Sequence, residues 1–503
     1  MRLALSSQTI EFVCVVLILC CSSVLILSNL GNQYLWQDEA QTALIAKTIL
    51  THGIPLGFDG RNSFSQELGA EYGKNYIYKW HPWFTFYLLA AFFALFGVST
   101  FTARLPFALL GMGTVLVGYY FAKSLWQSRR AGVLAAILLL VTVSFLVLVR
   151  QCRYYSPAAF FALLGLFGYY SLVERRKHAS AVFALSAILL FHTHYVYYVT
   201  LLATAAIHAS LVHRDRLRPV LLVSAATVAF NLPWIIWFSS LGQVVWLHGL
   251  AAGPAVFILK CYISQVAKHV FPIVLLGLVL LVGGVNWIRH KRIVMADVKV
   301  WRNVLLLTLF LVINIAVLSS TAMYPFFRFL APLIPVCCLI MALILESAMR
   351  VHALLALVPL VLLAAARPLP EYVYEITHDY DGPIEGMVKF LRQHAQPDDV
   401  VAITYGDMPL KFYTNMRIVG GLTGEDLSEA READWVIVRK HMPAAQGLAV
   451  KDYMLGNVPW DKYEAIKVPY PDIPFENRES PEEHNFMTVT DEYPVVIFRR
   501  VAD

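Results

Sequence analysis

Five hundred and three residues, 58% of them hydrophobic and 15% charged, with a mean hydropathy of +0.61, do not describe an ordinary soluble enzyme, whose composition runs near half apolar and about a quarter charged. The charge is also divided: 13 basic and 24 acidic residues follow Arg367, a net −11, against 27 basic and 10 acidic before it, a net +17. Together these exclude a disordered chain, a collagen, a small disulfide scaffold and a nucleic-acid binder, and leave a polytopic membrane protein with an acidic soluble domain at its end.

A span needs roughly 20 apolar residues. The first run, Ile10 to Leu30, is long enough, and without an Ala-x-Ala-like cleavage site it reads as an anchor rather than a signal peptide. Further runs fall near 103–123, 131–149, 155–172, 179–194, 196–212, 219–238, 270–288, 303–320, 327–346 and 350–367. Pro82 to Gly97 is apolar but short, as in a re-entrant or interfacial helix. Basic connections (Lys123–Arg130, Glu174–His178, His213–Arg218, Arg289–Arg292) alternate with weakly charged ones, and such loops stay cytoplasmic. Keeping 82–97 on the surface puts every basic loop inside. The expected fold is therefore mostly α: about eleven transmembrane helices, N-terminus cytoplasmic, tail outside, with residues 1–367 as the membrane domain and a long first outer loop over 31–101. All 7 cysteines precede the tail and none has zinc-like spacing.

The tail, 368–503, reads as a soluble α/β domain. Ile384, Met387, Val388 and Leu391 share one helical face, and 399–404, 435–438 and 495–498 are short apolar strand patterns. Residues 470–485, rich in Pro, Asp and Glu, read as a loop.

Rarity of charge locates the chemistry. Of the ten acids before the tail, five (Asp38, Glu39, Asp59, Glu67 and Glu71) fall in one outer segment, while Glu11, Glu174, Asp215, Asp297 and Glu346 lie in inside loops or at inner ends of spans. Adjacent carboxylates at a membrane surface repel one another and are desolvated. Asp38-Glu39 suits a general base or a divalent-cation site, or else a helix start with Asp38 as cap and both acids facing the dipole. Arg328 and Tyr324, spaced as one helical turn at the outer mouth of a span, suit a phosphate, or belong to an interfacial belt. Lys79 and His81 in the first loop and Arg153 at another outer mouth are further cations. His192 and His194 read as interfacial histidines. His248 and Lys260 lie in the outer loop 239–269, and the loop over 471–484 mixes polar residues between prolines.

Asp38-Glu39-Ala40 after the first span, His81-Pro82, Leu95–Ser99, Ala103-Arg-Leu-Pro106, Tyr324–Pro332, Pro397–Val401 and Leu410–Tyr413 occur in an order that resembles the GT-C glycosyltransferases. The likeness is to the protein-mannosyltransferase and lipid A aminoarabinose-transferase group. The resemblance implies an integral-membrane enzyme that moves a sugar from a polyprenyl-phosphate donor, held among membrane lipids, to a glycan, lipid or protein acceptor on the non-cytoplasmic face of the cell inner membrane. Under it Asp38 is the catalytic base or acceptor-orienting carboxylate with Glu39 in support. Arg328, Tyr324, Lys79, His81 and Arg153 are lipid-phosphate ligands, and inversion follows from one in-line displacement. One departure stands out: many relatives of the aminoarabinose-transferase type carry a second Asp after the arginine where this chain has Arg153-Tyr154-Tyr155. Either the second acid is not needed, or Glu67 or Glu71 replaces it, or the acceptor differs; no obligatory metal is expected, although Asp38 and Glu39 could hold a divalent ion. A transporter or flippase of lipid-linked sugar is the competing class, but no internal repeat and no buried midplane charge supports it. A ligase using a diphosphate-linked donor would lean on outer Arg and His instead.

Overall fold

Long apolar runs in a chain become helices because each backbone donor then finds its acceptor within the run. The computed structural model describes residues 6–240, 252–272, 277, 284, 297–322, 324–365, 368–440, 445–473, 480–490 and 493–501. Most of the expected span 270–288, the basic loop 289–292, His248 and part of the 471–484 loop lie outside the described residues. Among those described, seven helices are long and apolar enough to cross a membrane: Ser7–Leu27, Thr100–Trp126, Tyr155–Val173, Tyr195–Val212, Arg214–Ser239, Val298–Thr321 and Leu333–Val351. Two further pairs, Arg129–Val141 with Val143–Arg150 and Leu354–Ala365 with Pro368–Thr377, raise the number to 9 if each bent pair is one span. Ala179–Phe191 and Phe84–Phe96 are apolar helices of shorter length. The chain is a multi-pass membrane protein. Two of the departures from the expected spans have a local cause. The 131–149 run breaks at Thr142, where its hydroxyl donates to the Leu138 carbonyl (2.6 Å) and its backbone leaves the helical region, and the two halves meet at 70°. The 179–194 run stops at Phe191, giving roughly 20 Å of helix at 1.5 Å per residue.

Contacts divide the chain into two units. The first holds Met1–Ser28 and Phe107–Val373, hence the spans. In it, helix Ser7–Leu27 ends on an arginine: Arg150 donates to the carbonyls of Ile26 (3.0 Å) and Ser28 (2.8 Å), satisfying acceptors that a helix terminus leaves over. Acids of this unit are ion-paired, Glu11 with Lys123 and Arg129, Glu174 with Lys299, and Glu346 with Arg350.

The second unit joins Asn29–Pro106 to most of the chain after Tyr374. By contacts, then, the first outer loop groups with the tail, not with the spans. The tail carries a five-stranded sheet in the order β2-β1-β3-β5-β4, with β1 Val400–Ile403, β2 Arg417–Gly420, β3 Trp435–Ile437, β4 Tyr463–Pro471 and β5 Pro494–Arg500. β1 pairs in parallel with β2 and β3 (Val401 opposite Ile418 and Trp435), while β5 runs antiparallel to β3 and β4. The helix Pro383–His394 lays Ile384, Met387, Val388 and Leu391 on one face of the sheet against Val401, Ile403 and Ile437. Helix Ala445–Asn457 covers the other face with Val450 and Met454 over Ala402, Val419 and Val436. Residues of the outer loop add to this domain: Asn62 brackets the β2 edge through Met416 and Ile418, and Tyr34 stacks on Tyr413 at 4.1 Å.

Candidate functional site

The helix Gln37–His52 begins after an extended Trp36, so Trp36 occupies the cap position and Asp38 and Glu39 stand in the first turn. There the backbone N–H groups lack partners and the helix dipole favours negative charge. Asp38 is therefore not the cap. Its neighbour has a different occupation. Glu39 is fully buried and grips Arg104 with both oxygens, at 2.9 Å to Nε and 2.6 Å to Nη2. Arg104 in turn donates to the carbonyls of Leu30 (3.1 Å), Gln33 (2.8 Å) and Tyr34 (3.3 Å). One guanidinium thus fastens the connection after the first span to the start of the helix that carries Asp38. With both Glu39 oxygens accepting from Arg104, a cation at the Asp38-Glu39 pair would have to compete with that guanidinium. Among the described residues no group of three or more His, Cys, Asp or Glu is placed to hold a metal.

The same helix is fixed on another face by Gln37 and Gln41, one turn apart. Gln37 donates to Asp407 (2.7 Å), which is also ion-paired with Lys411 (2.8 Å), both fully buried. Lys411 reaches on to the Ser63 carbonyl (2.9 Å). Gln41 donates to Glu71 (2.9 Å) and to the Phe64 carbonyl. Glu71 also accepts from the Ser65 hydroxyl and from the backbone N–H groups of Gln66 and Glu67. Burial raises its pKa against these donors. So Glu71 ties its own loop together. Tyr413 completes the frame, accepting from the Leu35 N–H (2.9 Å) and bonding Thr100 (2.7 Å). Lys79 and His81 lie in this unit too, both half-buried in the loop before Phe84–Phe96, with the Lys79 backbone N–H on the Glu71 carbonyl and the His81 ring 6.5 Å from Tyr78. The Trp36 indole N–H is buried with no acceptor.

Arg153, Tyr324 and Arg328 belong to the unit of the spans. Arg153 is buried, its guanidinium 6.0 Å from the Tyr154 ring. Arg328 opens a short 3-10 turn, Phe327–Leu330, and stacks on Phe326 at 4.1 Å and Phe329 at 5.8 Å. Tyr324 is 60% exposed and sits at a bend in the non-helical segment ahead of that turn, so the expected spacing of one helical turn is corrected. The cause is Pro325, which disfavours helix at the residue before it. Around Arg328 the structure gathers residues that spacing did not point to. His194 lies 4.4 Å from Tyr197 and 5.0 Å from Tyr154, the Tyr197 hydroxyl donates to the Phe329 carbonyl (3.0 Å), and Gln265 donates to the Pro325 carbonyl (3.0 Å). His192, by contrast, packs on Trp234 at 5.1 Å. Arg104, Gln37, Asp407 and Lys411 were likewise missed. Three of these stand in quoted motifs or beside them, but a motif does not say which residue meets which.

Residues 80–237 match the family model of dolichyl-phosphate-mannose-protein mannosyltransferase. The fold is shared with ArnT from Cupriavidus metallidurans bound to undecaprenyl phosphate, at 13% identity and a TM-score of 0.58 over 98% of both chains. It is also shared with the apo oligosaccharyltransferase of Archaeoglobus fulgidus, at 12% identity and a TM-score of 0.51 over 92% of this chain and 70% of that one. No curated protein sequence matches. The chain thus shares the fold of ArnT and of this oligosaccharyltransferase, and within that fold residues 80–237 carry the likeness to the mannosyltransferase family.

Proposed function

We propose that the chain transfers a sugar from a polyprenyl-phosphate donor to a glycan, lipid or protein acceptor on the non-cytoplasmic face of the inner membrane. The supporting observation is the buried Glu39–Arg104 pair, which holds the first turn bearing Asp38 in one place. A carboxylate so held suits a general base. In the step proposed, an acceptor hydroxyl attacks the anomeric carbon and its proton passes to the Asp38 carboxylate. The C–O bond to phosphate breaks with inversion, and the polyprenyl phosphate leaves. Arg328 and Arg153 hold that phosphate, with Lys79 and His81 as further cations, because charge accumulates on it as the bond opens. ArnT was solved with such a lipid phosphate bound, which is in keeping with this donor. No obligatory metal enters the step.

The test is transfer from a labelled polyprenyl-phosphate sugar by the purified full chain. Asp38→Asn abolishes transfer while the unfolding midpoint is kept; a variant as active as the parent removes Asp38 from the chemistry.

A further inference from the structure

Residues 34–36, which lead into the helix of Asp38, belong to no helix or strand, so their backbone groups need partners elsewhere. The stretch is held from two sides. Arg104 takes carbonyls, those of Leu30, Gln33 and Tyr34. Side chains of the tail take the donors: the Tyr34 N–H goes to Glu385 (2.6 Å) and the Leu35 N–H to the Tyr413 hydroxyl (2.9 Å). Gln37, the residue before Asp38, lays its carboxamide across the start of helix Asp407–Tyr413. Its Nε2 donates to Asp407 (2.7 Å) and its Oε1 accepts from the Met408 N–H (3.4 Å).

These acceptors are fixed in turn by the sheet. Glu385 stands on helix Pro383–His394, whose apolar face packs on β1 and β3. Asp407 lies just past β1 and against Gly421, just past β2, where any side chain would collide with its carboxylate. Lys411 holds the other Asp407 oxygen. Leu35 and Gln37 are themselves buried, and a buried donor without its acceptor is costly. Loss of a tail partner therefore moves the segment rather than leaving it in place. We propose that the tail is the second half of a clamp that sets the position of Asp38, with Tyr413 and Asp407 as positioning residues acting through Leu35 and Gln37. This rests on the reading of Asp38 as the base. A tail that held the acceptor would govern KM, whereas a clamp on the base governs kcat.

The experiment measures kcat and KM for transfer by the purified full chain, at a temperature where every variant stays folded. Tyr413→Phe removes only the hydroxyl and keeps the ring that stacks on Tyr34. It lowers kcat on the order of ten- to a hundredfold and leaves KM within about twofold. Gln37→Glu sets a carboxylate against Asp407 and falls in the same range. In Gln37→Glu/Asp407→Asn the amide and the carboxylate have changed places, and kcat recovers about tenfold or more, the worth of a charge-assisted hydrogen bond. Met454→Ala is the control: it opens a cavity under the other face of the sheet, lowers the unfolding midpoint and leaves kcat alone. Tyr413→Phe and Gln37→Glu at the parent's kcat overturn the clamp. A raised KM with kcat kept overturns it too, and assigns the tail to acceptor binding. So does an equal fall of kcat in Met454→Ala, which assigns the loss to tail stability. A double variant no faster than Gln37→Glu overturns the part given to Asp407. Asp38→Asn at the parent's rate is a different result: it refutes the base itself, and the clamp with it.

Discussion

Cutting the Glu39–Arg104 pair in half measures how far one ion pair holds the turn that bears Asp38. In Arg104→Met the fully buried Glu39 keeps its charge and loses two donors, while the carbonyls of Leu30, Gln33 and Tyr34 lose theirs. Stranding a buried charge costs about 3–5 kcal/mol, and that figure subsumes much of the carbonyl loss because such costs do not add. Glu39→Leu strands the guanidinium instead and falls in the same range. The double substitution Glu39→Leu/Arg104→Met leaves no charge behind and costs less than the two singles together, by about 2 kcal/mol or more. Unfolding free energies in mixed micelles supply the cycle. Transfer at a temperature where every variant stays folded supplies the second reading. A displacement of Asp38 by about 1 Å would lower kcat on the order of a hundredfold in both singles. Single costs under ~1 kcal/mol, the range of solvent-exposed pairs, would refute the argument. So would an Arg104→Met enzyme at full activity beside a dead Glu39→Leu, since Glu39 would then act on substrate directly.

Lys411→Met leaves Asp407 buried with only Gln37 as donor and lowers stability by about 3–5 kcal/mol; a loss below ~1 kcal/mol in denaturant unfolding contradicts this. Chelation followed by gel filtration leaves transfer within about twofold, far less than the several kcal/mol a Lewis acid contributes; activity lost to chelator and restored by Mg²⁺ or Mn²⁺ refutes the metal-free step. Burial holds the imidazoles of His194 and His269 down to about 4, below the 6.5 of the unfolded chain. A lowered histidine pKa means the unfolded chain takes up the proton first, so stability is complete above pH 6.5 and declines as pH falls toward 4. Unfolding midpoints recorded from pH 8 downward show that decline (about one to two pH units of it above the acid range), and His194→Asn makes it shallower; an unchanged slope contradicts the assignment.

The spans were legible because a run of apolar residues announces itself within one window. The helix Pro383–His394 and strands β1, β3 and β5 were legible for the same reason, each carrying its periodicity locally. β2 and β4 were not: β2 is four residues opening on Arg417, and β4 alternates charge and proline along an exposed edge. The break at Thr142 escaped notice because a threonine inside an apolar run costs little hydropathy, yet its hydroxyl reaches the carbonyl four residues back. Lying furthest from view were the long-range partners. Glu39 and Arg104 are 65 positions apart, and Gln37 and Asp407 are 370 apart. Neither spacing leaves a periodic trace.

The dipeptide at 38–39 shows why local reading stopped where it did. Two adjacent acids look alike in a sequence, and the natural inference is that they act together, on a proton or on a cation. On a helix, consecutive side chains project about 100° apart. When Glu39 turns toward Arg104 with both oxygens, Asp38 is carried away from that guanidinium by helix geometry alone. Adjacent position therefore separates the two side chains: Glu39 holds the turn through Arg104, and Asp38 points to another side of the helix. A bridging metal would need Glu39 to leave Arg104, stranding the guanidinium at the cost worked out above. With Glu39 held by Arg104, the proton transfer proposed above falls to Asp38.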